Sequence, residues 1–103
     1  MALKTSGNPT EFYSYLNIVA GQATTVVKAT PGILHSIVFN GPATATNVTT
    51  VYDNASGVGT VIAIPAATAV VSPVTLIFDI KFAIGLTIIT ATANGANMTV
   101  CYR

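Results

Sequence analysis

The chain is short of charge. Of 103 residues, four are Lys or Arg, three are Asp or Glu, and one is His. Charged residues make up 7% of the chain, against roughly 25% in an average globular domain. The net charge of +1 rests on Lys4, Lys28, Lys81 and Arg103, which are scattered. They form no basic stripe to track a phosphate backbone, which argues against nucleic acid as a partner. One cysteine, Cys101, leaves no internal disulfide framework and no cysteine-based zinc site. It falls in an alternating apolar segment and reads as a small core residue.

Long apolar runs are missing too. The longest apolar-leaning stretch, 58–71, contains Gly59, Thr60, Pro65 and Thr68. It falls short of the roughly 20 apolar residues a spanning helix needs, so no membrane partner is expected. Residues 1–12 carry no apolar h-region and do not read as a secretory signal. Glu, Lys, Gln and Arg are together too few to build the polar face of an amphipathic helix.

The shortage of titratable groups argues against an enzyme. Acid–base or nucleophilic chemistry needs paired carboxylates, or a base beside a nucleophile. The acids are Glu11, Asp53 and Asp79, and the only imidazole is His35. Asp53 opens a turn and is expected to cap backbone N–H groups. Asp79 and Lys81 share a strand face, which favours a local ion pair. His35 is assigned to the face of Ile33, Ile37 and Phe39, with neighbouring Ser36 on the opposite face, so the two do not form a base and nucleophile. It reads as a hydrogen-bonded core or interface residue. Zinc wants three or four ligands and the 53–59 loop offers calcium one carboxylate, so no metal, cofactor or catalytic residue is assigned.

What is present is β structure. Hydrophobic residues reach 51%, and they come in short runs of Val, Ile, Thr, Tyr and Phe closed by Gly, Pro, Asn or Asp. The pattern predicts strands over 12–19, 24–29, 33–39, 47–53, 60–64, 74–80, 86–92 and 97–102. Turns are expected at Ala20-Gly21-Gln22, at Pro31-Gly32 as a type II turn, in the loop from Asp53 to Gly57, and at Asn94-Gly95. The Ala-rich piece 65–71 reads as a loop or irregular edge. The expected fold is all-β: one antiparallel β-sandwich of about 7–8 strands, jelly-roll or immunoglobulin-like, over 11–103. An extended N-terminal arm, 1–10, precedes it.

The surface of so small a domain is dominated by Thr, Ala, Asn and Ser. Such a surface desolvates cheaply, because burying it strands few charges, and this favours an oligomer or a subunit of an assembly. Segments 75–80 and 86–89 are apolar on both faces, and the second cover is expected from another subunit. Phe12, Tyr13 and Tyr15 are the candidate interface residues. With no Trp and few polar partners nearby, packing explains them more simply than stacking on sugars or bases.

Four stretches carry a resemblance: Gly32-Ile33-Leu34-His35-Ser36-Ile37-Val38-Phe39-Asn40, Tyr52-Asp53-Asn54-Ala55-Ser56-Gly57, Phe82-Ala83-Ile84-Gly85-Leu86-Thr87-Ile88 and Met98-Thr99-Val100-Cys101-Tyr102-Arg103. Their order is similar to small β-sandwich virion proteins of tailed bacteriophages, over 31–103. Some members of that group are head decoration or cement proteins. The resemblance is one of strands and turns and carries over no functional residue. It implies a homo-oligomer, trimer or dimer, on the capsid surface, contacting the major capsid protein or other virion subunits. The alternative is a tail or baseplate module that binds a host-surface glycan through Tyr13 or Tyr15.

Overall fold

Short β-branched and aromatic runs can bury one face each only by pairing, and every run found in the sequence does so. The computed structural model describes residues 12–19, 22–40, 49–65, 74–90 and 97–103. The strands are β1 (Ser14–Ile18), β2 (Thr24–Lys28), β3 (Gly32–Phe39), β4 (Thr49–Asp53), β5 (Thr60–Ala63), β6 (Val74–Phe82), β7 (Leu86–Thr90) and β8 (Met98–Tyr102). There is no helix among the described residues.

Pairing follows one rule. The first strand pairs with the last, the second with the last but one, and so on inward to the β4–β5 hairpin, always antiparallel. The chain is thus one long ribbon folded at its middle. Two further pairings, β3 with β8 and β4 with β7, roll that ribbon into two sheets. The front sheet has the order β1-β8-β3-β6 and the back sheet β2-β7-β4-β5. Eight strands in this arrangement make a jelly roll. The immunoglobulin alternative, with its seven-strand sheet orders, is set aside.

The core lies between the sheets. The front sheet contributes Ile18, Leu34, Ile37, Phe39, Phe82, Met98 and Val100, and the back sheet Val51, Leu86 and Ile88. Half-buried Val27, Ile62, Leu76, Phe78 and Tyr102 pack around this cluster. Each fully buried side chain of this size stabilises the fold by about 1.5–3 kcal/mol relative to exposure.

Strand positions agree with the sequence pattern to within a residue or two wherever the chain is described, and β6 runs two residues further, to Phe82. The turn reading of Pro31-Gly32 is corrected. Gly32 opens β3, and a Cβ there would overlap the Arg103 carbonyl oxygen and the Phe82 ring. A close backbone approach, not a left-handed turn, requires glycine at this position. The arm 1–10, most of the Ala-rich piece, the Ala20-Gly21 part of the first turn and the Asn94-Gly95 turn lie outside the described residues.

Candidate functional site

Register places the outward side chains of the front sheet in rows across its strands. Tyr15, Cys101, Ser36 and Ile77 occupy one row, and Asn17, Thr99, Val38 and Thr75 the next. Tyr15 is 74% exposed and Ile77 62%, while Ser36 between them is 5% exposed. Cys101 is a half-buried free thiol on this outer face, so its reading as a core residue is corrected.

Between this row and the Ile33–Lys81 pair the ladder is irregular. β3 carries one residue more than β8, and β6 one more than β3. The surplus residue of β3 is His35, and it lies across from Phe78 and Asp79 of β6. A bulge shifts the parity of everything beyond it. His35 therefore faces outward on the same side as Ser36, whereas Ile37 and Phe39 turn into the core. The sequence reading, which put His35 with Ile37 and Phe39 and opposite Ser36, fails because it assumed unbroken alternation. Asp79 has φ of 50°, the one positive-φ non-glycine among the described residues. Such a conformation costs on the order of 1–3 kcal/mol and persists only where its surroundings hold it.

What holds Asp79 is His35. The imidazole Nδ1 is hydrogen-bonded to Asp79 Oδ1. This replaces the Asp79–Lys81 pair expected from the strand. The other side of the imidazole is also occupied: Tyr13 stacks on it with ring centroids 4.2 Å apart and planes 15° apart. The Arg103 guanidinium carbon stands 5.7 Å from the Tyr13 ring centroid, within cation–π reach. Arg103 is held to β3 by paired backbone bonds with Ile33, each 2.9 Å. The chain's only histidine, one of its three acids and one of its four bases thus meet at one place.

An amide cluster closes the far end of the same face. Asn17 Nδ2 donates to Asn97 Oδ1 at 3.0 Å and to Thr99 Oγ1 at 3.2 Å. Asn40 Nδ2 donates to the same two acceptors at 3.1 and 2.9 Å.

A carboxylate on Nδ1 orients an imidazole as in a hydrolytic triad, but no hydroxyl or thiol is hydrogen-bonded to His35 among the described residues. Nor, among the described residues, do three or more His, Cys, Asp or Glu side chains converge there to hold a metal ion. Of the three residues singled out from sequence, Tyr13 belongs to the cluster, Tyr15 stands in the next row, and exposed Phe12 marks the start of the described chain. The sequence reading missed that His35, Asp79, Arg103 and Tyr13 meet. The adjacent polar pair His35-Ser36 inside an apolar strand was the available signal of a bulge.

Asp53 caps backbone as expected, but across the fold. Its carboxylate accepts from the N–H groups of Ala83 and Ile84 at 2.9 Å and of Gly85 at 3.4 Å, in the turn between β6 and β7. Those donors, Ala83 first and Ile84 next, stabilise the charged form and hold the carboxyl below the ordinary aspartate range. No family model, curated protein or solved structure matches the chain.

Proposed function

We propose that the chain is a structural subunit that works by contact with other protein subunits, as a decoration or cement protein on a bacteriophage head. The observation that carries this is the apolar flank formed by β5 and β6, the edge strands of the back and front sheets. Val61, Ile64, Val74, Ile77 and Ile80 are all exposed there. An apolar recess of about 360 Å³ lies along it, lined by Ala63, Ile64, Pro65, Thr75, Leu76, Ile77 and Phe78. Ile64 and Ile77 meet at this recess, and exposed apolar surface of this kind marks an interaction site.

Two features support the reading. Among the described residues of β5 and β6 the charged side chains are Asp79 and Lys81, and Asp79 is already hydrogen-bonded to His35, so covering the flank strands little charge. The phage resemblance of 31–103 points to the same class of protein. A cement protein joins neighbouring capsid subunits through apolar and neutral polar burial, supplemented by β-pairing of arms or edges. Residues 1–10, leading into Phe12, serve as a second contact in this proposal.

The test is quantitative mass analysis of purified particles of the phage that encodes the chain. A shell component is present at hundreds of copies, on the order expected of one per capsid subunit or subunit cluster. A few copies, or none, would refute the head assignment. Deleting residues 1–10 is expected to weaken particle binding while the isolated domain keeps its thermal transition; unchanged binding would remove the arm from the mechanism.

A further inference from the structure

Among the described residues of β5 and β6 there is one acid, Asp79, and it is bonded to the chain's only histidine. Asp79 directly follows Ile77 and Phe78, which line the apolar recess of the flank. Its side chain is 54% exposed and that of His35 32%, so both meet water in the single chain. The surplus residues that bring them together are graded across the sheet. Between the Leu34 and Ser36 rows β8 has none, β3 has His35, and β6 has Phe78 and Asp79. An irregularity of this kind re-aims side chains and is a built feature of a sheet. Asp79 takes a positive φ of 50° within it.

Covering the flank withdraws the Asp79 carboxylate from water, and the cost depends on the charge of its partner. With His35 protonated, imidazolium and carboxylate enter the contact as a neutral pair. With His35 neutral, the carboxylate keeps a hydrogen bond but enters as an uncompensated anion, which a dry interface disfavours. Lys81 does not stand in for the imidazolium. The partner of Asp79 among the described residues is His35, and Lys81 lies opposite Ile33 instead. Its ammonium rides on a flexible stem that can stay in water at the rim of a contact. The other groups around the ring are Tyr13, stacked on it, Arg103 near Tyr13, and Cys101 opposite Ser36. Of the whole set, Asp79 alone is a carboxylic acid. Histidine is the side chain whose charge ordinarily changes between about pH 5 and 8.

We infer that contact across the β5–β6 flank is proton-linked through the His35–Asp79 pair. The inference rests on the reading of that flank as a subunit contact and adds its regulation. Asp79 is the group whose burial is costly, His35 carries the proton that offsets the cost, and Tyr13 is a positioning residue that fixes the plane of the ring. The contact therefore takes up a proton as it forms. It is strongest in mild acid and weakens as pH rises through the titration of His35. One proton per flank limits the loss to about tenfold for each pH unit.

The test is co-sedimentation of the purified full-length chain, across pH, with particles of the encoding phage that have been stripped of it. Affinity is expected to fall by about tenfold or more from about pH 5 to about pH 8. Asp79→Asn removes the anion and keeps a side chain that tolerates positive φ. Its binding should be flat with pH and stay at the parent's acid-side strength. His35→Asn keeps a neutral donor and removes the titrating group, so its binding should be flat at the parent's weaker, alkaline-side strength. Near-ultraviolet circular dichroism of each variant reports the fold, and if His35→Asn does not fold, Asp79→Asn decides alone. A parent profile that is flat with pH, or an Asp79→Asn profile as steep as the parent's, overturns the linkage and leaves the contact reading standing. No binding of the parent at any pH overturns both.

Discussion

β6 and β7 are consecutive strands, joined by the Asp53-capped turn, and both are apolar on two faces, yet their outer faces meet different fates. β7 is covered by its own chain. The β4–β5 hairpin loop folds across it, with Gly57 against the Ile89 side chain so closely that a Cβ at 57 would overlap Cδ1. The Thr87 hydroxyl donates to the Asn54 carbonyl at 2.8 Å, pinning the same loop to the strand. On that face Thr87 is buried and Ile89 half-buried, while Leu86 and Ile88 face the core between the sheets. β6 has no such loop among the described residues, and Ile77 on its outer face stands 62% exposed. The expectation that both strands need a second subunit is corrected for β7. An apolar strand face shows the need for a cover and says nothing of where the cover comes from.

The contrast can be broken by substitution, starting with the inner face of β7. Ile88→Ala removes a side chain buried between the sheets and should destabilise the domain by about 2–5 kcal/mol in urea unfolding. Ile89→Ala, on the outer face beneath the loop, should cost less, about 1–2 kcal/mol, because that side chain is half-buried and the loop can settle. A cost indistinguishable from zero would mean that the loop does not cover β7.

The turn between the two strands has a pH signature. Asp53 has its carboxyl lowered in the folded state by the Ala83 and Ile84 N–H groups. Its contribution to stability is therefore fully present above the ordinary aspartate range and is lost as pH falls through the lower folded value. Asp53→Asn should be less stable than the parent at neutral pH, with the difference shrinking on acidification, as read from thermal midpoints between neutral and strongly acid pH. A difference that is constant with pH would contradict the capping role.

The smallest effect on folding is expected at β6. Ile77→Ser should change the stability of the isolated domain by no more than about 0.5 kcal/mol, while weakening assembly measured by sedimentation. A large loss of stability with assembly intact would place the cover of β6 within the chain.

The eight strands were legible because period-two alternation and turn residues are local signals, and the β4–β5 hairpin was legible from Asp53 to Gly57 for the same reason. Strand pairing was not, since pairing β1 with β8 joins the two ends of the domain and leaves no local trace. The polar cluster was hidden by a single surplus residue. Counting twos through β3 put His35 inside, and only the bulge brings it beside Asp79, forty-four positions away. Asp53 was recognised as a cap, but its donors sit about thirty positions further on. Gly32 was misassigned because a glycine after proline signals a turn, whereas here it makes room for the Arg103 carbonyl and the Phe82 ring.

Amide hydrogen exchange, read strand by strand in the dilute chain and in the assembled particle, tests the central claim most directly. β6 is an edge strand whose outward N–H groups have no ladder partner in its own sheet. If another subunit covers the flank, protection along Val74–Phe82 should rise by about tenfold or more on assembly, while Leu86–Thr90 changes little. Equal exchange of β6 in the two states would contradict the claim that this flank is built for contact.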